Sequence, residues 1–314
     1  MSLNKYTPID LLFVAYTLIL SIILLFFHSG VENWVGYILL HAAMIAAVII
    51  LVPILSSSKN RFFQFIRWWY PLILFTFNYK EINAFTHILY PGWRDAAIAS
   101  FEKGLLGFHP SVWLEKFVSP PITELMKFDY FTYYLMVQVG AAVIYLTQNR
   151  AAFTRYVATL CVAFYISYLG FIIYPVRGPR YQLYDKYSKD YVVNVKEFYG
   201  DMVEADVAPR NTRALKGYVF TSLQDYIMRY GSLHGGCMPS SHVAVAIICM
   251  AMMFIYRRKL FYVYFPLVGL LCIAVVYNRY HYVSDVFAGI VVAVISLWLT
   301  PLLLRGWKIV EKNY

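Results

Sequence analysis

Three short segments of the sequence place reactive side chains at the edges of long apolar stretches. The first contains Arg177 and Arg180, the second contains Ser240, Ser241 and His242, and the third contains Arg279, His281 and Asp285. Charged or ionisable residues beside a membrane-spanning stretch are costly, so they are functional candidates by default. The residue types match the parts of a phosphoryl-transfer site, which needs anion-binding groups and a nucleophile.

The third segment has the spacing of a nucleophile and its orienting carboxylate. His281 and Asp285 are four residues apart. If they share a helical turn, the carboxylate accepts a hydrogen bond from one imidazole nitrogen and leaves the other as a nucleophile. Taken alone, an H-x-x-x-D pattern also recurs by chance.

The other two segments offer groups that bind phosphate. A serine at position 240 or 241 can cap a helix, and the free N–H groups and dipole of that helix attract anions, with His242 standing beside them. The planar forks of Arg177, Arg180 and Arg279 match phosphate oxygens. Taken alone, the serines are an ordinary helix cap and the arginines are lipid-headgroup anchors.

The composition shows which class of protein contains these segments. The chain has 314 residues, of which 61% are hydrophobic and only 14% charged, against about 25% charged residues in soluble domains. A soluble protein is therefore excluded. The net charge of +10 comes from Lys and Arg scattered between apolar blocks rather than from a basic stripe, so no nucleic-acid partner is expected.

The apolar blocks predict an all-α, polytopic membrane helix bundle with about eight transmembrane segments, since about 20 apolar residues cross a bilayer. The predicted segments are 11–27, 34–55, 64–79, 130–148, 156–176, 241–256, 260–278 and 286–304. The segment at 64–79 contains Arg67 and Pro71, so a re-entrant segment remains an alternative there.

The charges between the segments predict the topology. The links after the second, fourth and sixth segments carry Lys or Arg and no acid. The positive-inside rule then places both termini in the cytoplasm. On that topology the three reactive segments meet at the outer membrane–water boundary.

The same pattern predicts two regions. Residues 1–127 form N-terminal membrane helices plus an interfacial amphipathic segment within 80–127. Residues 128–314 form a catalytic, phosphatase-like helix bundle with an outer-face loop at 177–238.

In combination, the motifs resemble the type 2 phosphatidic acid phosphatase superfamily, whose pattern is K-x6-R-P, then P-S-G-H, then S-R-x5-H-x3-D. The resemblance covers residues 174–180 and 235–304. It implies that His281 attacks phosphorus and becomes phosphohistidine, and that Asp285 orients it. His242 would protonate the departing alcohol and then activate water or an acceptor alcohol. It also implies no metal or other cofactor, since arginines and backbone amides meet the phosphate charge.

The sequence departs from the family pattern at several positions. In the first motif, Ile173 stands in place of the lysine and Tyr181 in place of the proline. In the second, Ser241 stands in place of the glycine, and in the third, Ala274 and Val275 stand in place of the serine and arginine. Arg177 and Arg279 are candidates to replace the missing charges. These departures are similar to the branch that contains inositol phosphorylceramide synthases.

The sequence therefore predicts an integral membrane lipid phosphatase or phosphotransferase, in the first place one that hydrolyses a lipid phosphate. The alternative is inositolphosphotransferase-like transfer of a phospho-headgroup to a lipid acceptor such as ceramide, because hydrolysis and transfer share their first half-reaction. A non-enzyme alternative is a lipid transporter or scramblase, whose charges would be spread through the bilayer depth.

The expected partners are the membrane, a phospholipid or other lipid phosphate, and an alcohol or lipid acceptor in the case of transfer. The expected location is the cytoplasmic membrane, or an endomembrane in a eukaryote, with the site on the extracytoplasmic face. The sequence leaves the lipid and the oligomeric state open.

Overall fold

The computed structural model describes residues 5–182, 215–231 and 235–305. Most of the outer-face loop predicted at 177–238 lies outside the described residues, and so does the chain after Arg305. In the described part, every regular element is a helix, and the backbone forms one isolated bridge between Val176 and Gly236. The all-α prediction is confirmed.

The described N-terminal part of the chain, residues 5–119, contains five α-helices and two short 3-10 helices, His28–Gly30 and Leu114–Phe117. The α-helices are α1 (Pro8–Phe27), α2 (Trp34–Ser57), α3 (Arg61–Phe85), α4 (Asp95–Leu106) and the single turn α5 (Pro110–Trp113). The short helices α4 and α5 fall within the segment 80–127, for which the sequence predicts interfacial helices.

The remaining described residues form seven helices. They are α6 (Pro120–Thr147), α7 (Arg150–Ile173), α8 (Pro179–Gln182), α9 (Val219–Gly231), α10 (Ser241–Tyr256), α11 (Arg258–Tyr277) and α12 (Val283–Arg305). The division predicted at residue 127 falls within α6, which is continuous, and a two-region organisation stays a prediction.

Within the described ranges, six helices are long and apolar enough to cross a membrane, namely α1, α2, α6, α7, α11 and α12. Helix α10 is apolar but has 16 residues, and α3 has 25 residues but carries several charges. The protein is an integral membrane protein; the count of eight crossings and the cytoplasmic termini stay predictions.

The outer surface of these helices is strongly apolar. Leu39 of α2 is 65% exposed, Phe265 of α11 is 61% exposed and Trp298 of α12 is 66% exposed. Exposed side chains of this size in such number are a lipid-facing surface rather than a water-facing one.

Helix α10 is the centre of the bundle. It packs against α6, α7, α11 and α12. Small residues allow this close packing, since Ala244 and Ala246 are completely buried. Helices α1 and α3 pack on the other side of α7, and α2 packs on both of them. The reactive residues at the start of α10 are therefore surrounded by helices from both parts of the chain.

A buried ion pair joins α1 to α3. The guanidinium of Arg67 bonds both carboxylate oxygens of Asp10, at 2.6 and 3.1 Å. The hydroxyl of Tyr70 donates to the same carboxylate. Arg67 is 3% exposed and Asp10 is completely buried. This bidentate pair satisfies the charge that made 64–79 an ambiguous segment in the sequence.

Candidate active site

The second and third segments are joined through the start of α10. Ser240 is the N-cap residue, and its hydroxyl accepts the backbone N–H of Val243. The backbone N–H of Ser240 donates to the carbonyl of Asp285 at 3.0 Å. The predicted serine cap is confirmed, and the same residue fixes α10 against the first turn of α12. Ser241 follows as the first residue of α10 and is buried.

His281 and Asp285 form the predicted pair. Nδ1 of His281 lies 3.1 Å from the carbonyl of Cys237 and 3.4 Å from Oδ2 of Asp285. The backbone N–H of Tyr282 donates to that same carboxylate oxygen at 2.8 Å. His281 precedes α12 rather than sharing its first turn, but the contact is made. Both acceptors lie next to Nδ1, and neither contact involves Nε2.

The surroundings of His281 keep it neutral. The pKa of His281 is lowered to about 4, chiefly by burial; the hydrogen bond to the Cys237 carbonyl opposes this shift, and the charge of Arg180 adds to it. A neutral imidazole keeps a free electron pair on one of its two nitrogens.

His242, on α10, lies close to His281. The centroids of the two rings are 5.8 Å apart, with the rings at 60°. Nε2 of His242 lies 2.9 Å from the hydroxyl of Tyr130 on α6. Nδ1 is buried and has no hydrogen-bond partner among the described residues. One nitrogen is thus held by Tyr130, and the other is left for a ligand.

The first segment is held by its backbone. The N–H groups of Arg177 and Gly178 donate to the two carboxylate oxygens of Asp95 on α4, at 2.9 and 2.8 Å. Gly178 has a φ of +104°, and a Cβ there would meet the carbonyl oxygen of Tyr280 and the Cys237 sulfur. A glycine is required for this turn to lie against the third segment.

The guanidinium groups of the first segment lie among aromatic rings. Arg177 is centred 5.1 Å from the Trp93 ring, and Arg180 is 5.2 Å from the Tyr280 ring. Both arginines are 6% exposed. The N–H of Arg180 also donates to the carbonyl of Arg279 at 3.1 Å, which brings the first and third segments together.

Arg279 is buried and is engaged by the N-terminal part of the chain. Its Nη2 lies 3.1 Å from Oε1 of Glu115, in the turn that follows α5. Its backbone has a φ of 64°, a left-handed conformation that is rare for a residue with a side chain. An ion pair thus holds Arg279 next to His281, and its assignment to phosphate binding stays a prediction.

Helix α4 supplies two carboxylates that hold the reactive segments. Asp95 also lies 3.2 Å from the hydroxyl of Tyr282, and Glu102 accepts the N–H and hydroxyl of Ser284 at the start of α12. Burial raises the pKa of Asp95 to about 6, although Arg177 and the two backbone N–H donors lower it. Burial also raises the pKa of Glu102.

Several of these residues carry no signal in the sequence. Asp95, Glu115 and Tyr130 belong to no motif and are far along the chain from the residues that they contact. Lys127 also belongs to no motif. Its ammonium donates to the hydroxyl of Tyr280 at 2.9 Å and to the carboxylate of Asp225 at 2.8 Å. The only indication of these residues in the sequence is that each has a charged or hydroxylated side chain next to an apolar stretch.

One group of side chains has the types that bind metal ions. The ligand atoms of Cys237, His281 and Asp285 all lie within 4.8 Å of one another. A thiolate, an imidazole and a carboxylate suit zinc. An ion bound there would engage one imidazole nitrogen of His281.

The three segments thus form one site with two histidines, an orienting carboxylate and two arginines. The model of the PAP2 superfamily matches residues 96–299, and the chain belongs to this superfamily, the type 2 phosphatidic acid phosphatases. Membership supports a phosphatase or phosphotransferase type of function. No curated protein and no solved structure matches the chain.

Proposed function

We propose that the protein is a lipid phosphate phosphatase that works through a phosphohistidine on His281. One observation carries the proposal. Nδ1 of His281 is held by Asp285 and the Cys237 carbonyl, while His242 faces the same site from a separate helix. A nucleophile with a fixed free nitrogen, opposite a second imidazole, is what a two-step displacement at phosphorus requires.

In the first step, Nε2 of His281 attacks phosphorus, and the bond from phosphorus to the alcohol oxygen breaks. His242, protonated on both nitrogens beside the anionic substrate, gives its Nδ1 proton to that oxygen, and Nε2–H donates to Tyr130. In the second step, Nδ1 of His242 takes a proton from water. The water oxygen attacks phosphorus, the bond to His281 breaks, and inorganic phosphate leaves.

Arg177, Arg180 and the free N–H groups at the start of α10 are proposed to hold the phosphate oxygens, with Ser240 and Ser241 at the helix start and Arg279 beside them. The donors come from two elements, so they surround the anion rather than face it from one side. They would neutralise charge that develops as phosphorus is attacked, and no metal is part of the proposal.

The test is phosphorus-containing product analysis with purified protein in lipid. Phosphate release that persists in EDTA and is lost in His281→Ala supports the proposal, and a 32P label trapped on His281 supports the intermediate. A phospholipid formed only when an acceptor such as ceramide is present would establish transfer instead. No product from folded protein across several lipid phosphates would overturn the proposal.

The active face is proposed to be extracytoplasmic. Support comes from the Lys and Arg residues between α2 and α3, at the starts of α3 and α7 and between α10 and α11, namely Lys59, Arg61, Arg150 and Arg257, of which Lys59 is exposed. Lys216, at the other end of the molecule, is exposed as well. In intact cells, a membrane-impermeant maleimide should label Lys216→Cys and should reach Lys59→Cys only after permeabilisation. The reverse result would invert the topology.

A further inference from the structure

An aromatic cavity of about 290 Å³ lies next to His242. It is bounded by α3, α6, α7, α9 and the first turn of α10. Its apolar walls are mostly rings, among them Phe75, Tyr133, Phe164 and Tyr168. The residues that line it also include Ser241 and His242, but none from the first or third reactive segment.

His242 thus borders this cavity, and its ring centroid lies 5.8 Å from that of His281. Attacking and leaving atoms lie roughly in line on opposite sides of phosphorus. If His281 attacks, as the proposed function holds, the leaving oxygen faces His242. The group attached to that oxygen then extends into the cavity. The inference rests on the proposed function in this one respect.

The lining suits a hydrocarbon. The hydroxyl of Tyr168 is used by the backbone carbonyl of Phe75 at 2.8 Å, and that of Tyr130 is used by His242 at 2.9 Å. Polar groups that enter an apolar site without hydrogen-bond partners cost roughly 1–3 kcal/mol each. Because the lining is mostly apolar, a glycerol backbone with two ester carbonyls next to the phosphate would carry more of that cost than a plain hydrocarbon chain.

The cavity also has an exit. Thr76 and Lys80 of α3 and Gln138 of α6 line it and are exposed, so it opens between these two helices. At about 30 Å³ for each group of water size, the cavity holds roughly ten such groups. A longer chain would continue through the opening, past the apolar exteriors of the helices.

We propose that this cavity binds the hydrocarbon of a single-chain lipid alcohol, such as an isoprenyl alcohol, whose phosphate is the substrate. The chain starts at the ester oxygen beside His242, passes between the rings and leaves between α3 and α6. A diacylglycerol phosphate is disfavoured, because its polar ester groups would occupy the ring-lined part.

The first test compares farnesyl phosphate with dioctanoyl phosphatidic acid as substrates. We expect a kcat/KM at least tenfold higher for farnesyl phosphate. Equal or reversed values would overturn the cavity assignment and leave the phosphatase proposal standing. Loss of activity toward every phosphate ester would instead count against the proposed function.

A substitution at the opening gives the second test. Thr76→Trp should fill the exit and lower kcat/KM for farnesyl phosphate about tenfold, while dimethylallyl phosphate, with a five-carbon chain, keeps its rate. Ile73→Trp is the matched control, since Ile73 lies one turn earlier on α3, is 70% exposed and does not line the cavity. An equal loss for both chain lengths, or the same loss in the control, would contradict the proposal.

A binding measurement avoids dependence on catalysis. Purified His281→Ala should bind farnesol, and Thr76→Trp in the same background should weaken that binding about tenfold. Dioctanoylglycerol should bind more weakly than farnesol. Farnesol binding that Thr76→Trp does not change would place the chain elsewhere.

Discussion

The carboxylate of Asp95 lies 3.2 Å from the hydroxyl of Tyr282, the residue that follows His281. The same carboxylate accepts the N–H groups of Arg177 and Gly178. One buried side chain from α4 thus holds the first and third reactive segments at a fixed separation. The positions of the arginines and of His281 depend on it.

Asp95 should determine the acidic side of the pH profile. Its pKa is about 6, whereas that of His281 is about 4. As the pH falls through about 6, Asp95 takes up a proton and loses its charge on the two N–H donors, while His281 is still neutral. We therefore expect kcat/KM to fall below pH 6. The measurement that checks this is kcat/KM at a series of pH values between 4.5 and 8.

Asp95→Asn separates this effect from ionisation of the substrate. The amide does not titrate and has a single acceptor oxygen. We expect it to lower kcat/KM about tenfold at pH 7 and to flatten the profile around pH 6, since one charge-assisted hydrogen bond contributes about 1.5–3 kcal/mol. A variant that keeps the acidic limb at pH 6 would assign the limb to another group.

Tyr130 should act through His242. Tyr130→Phe removes the hydroxyl that lies 2.9 Å from Nε2, so the ring loses its orientation and the protonated form loses an acceptor. We expect kcat for an alkyl phosphate to fall about tenfold to a hundredfold. For p-nitrophenyl phosphate, whose leaving group needs little protonation, the loss should be smaller.

The matched control for Tyr130 is Tyr156→Phe. This residue also loses a buried hydroxyl contact, to the carbonyl of Val137 at 3.0 Å, but it lies within the bundle on α7. It should reduce stability and leave the ratio of the two substrates unchanged. If both variants change that ratio equally, Tyr130 has only a structural role.

Gly178→Ala should disrupt the site without affecting the bundle. Its Cβ would meet the Tyr280 carbonyl, and its φ of +104° is unfavourable for alanine. Displacement of the turn by about 1 Å can cost about 100-fold in rate. Gly107→Ala is the control, because Gly107 has a φ of +78° and the methyl group of an alanine there would have nothing within 4 Å. Its phosphate release should stay within about twofold of wild type, as expected for a substitution away from the site.

Asp10→Asn should destabilise the N-terminal helices. It leaves the Arg67 guanidinium buried with a weaker partner, and breaking a buried ion pair costs about 3–5 kcal/mol. Replacing both residues, as Asp10→Leu with Arg67→Met, should recover much of that loss. The free energy of unfolding in detergent is the measurement. A single variant as stable as wild type would show that the pair contributes little.

The sequence predicted the convergence of the reactive segments because each is a local pattern at the end of an apolar helix. Helices that run in alternating directions bring such ends to the same side, and residues such as His242 and His281 meet in the structure. The serine cap on α10 was predictable for the same reason, since capping depends on neighbouring residues.

Residues that hold the site from a distance were not predictable. Tyr130 is 112 positions from His242, and Asp95 is 187 from Tyr282. Nothing local marks a tyrosine or an aspartate as a partner for a residue so far along the chain. For Arg279 the local sequence was ambiguous. It fits an arginine that binds phosphate and equally an arginine that pairs with a distant carboxylate, and in the structure Arg279 contacts Glu115.

The position of Asp95 also limits how modular the catalytic unit is. The superfamily match begins at residue 96, one position after the carboxylate that supports the first segment. Arg94 also lies just outside that match, and its N–H donates to the carbonyl of Pro175. A chain shortened to the family boundary, or a chimera joined there, would keep every motif residue and lose the support beneath them.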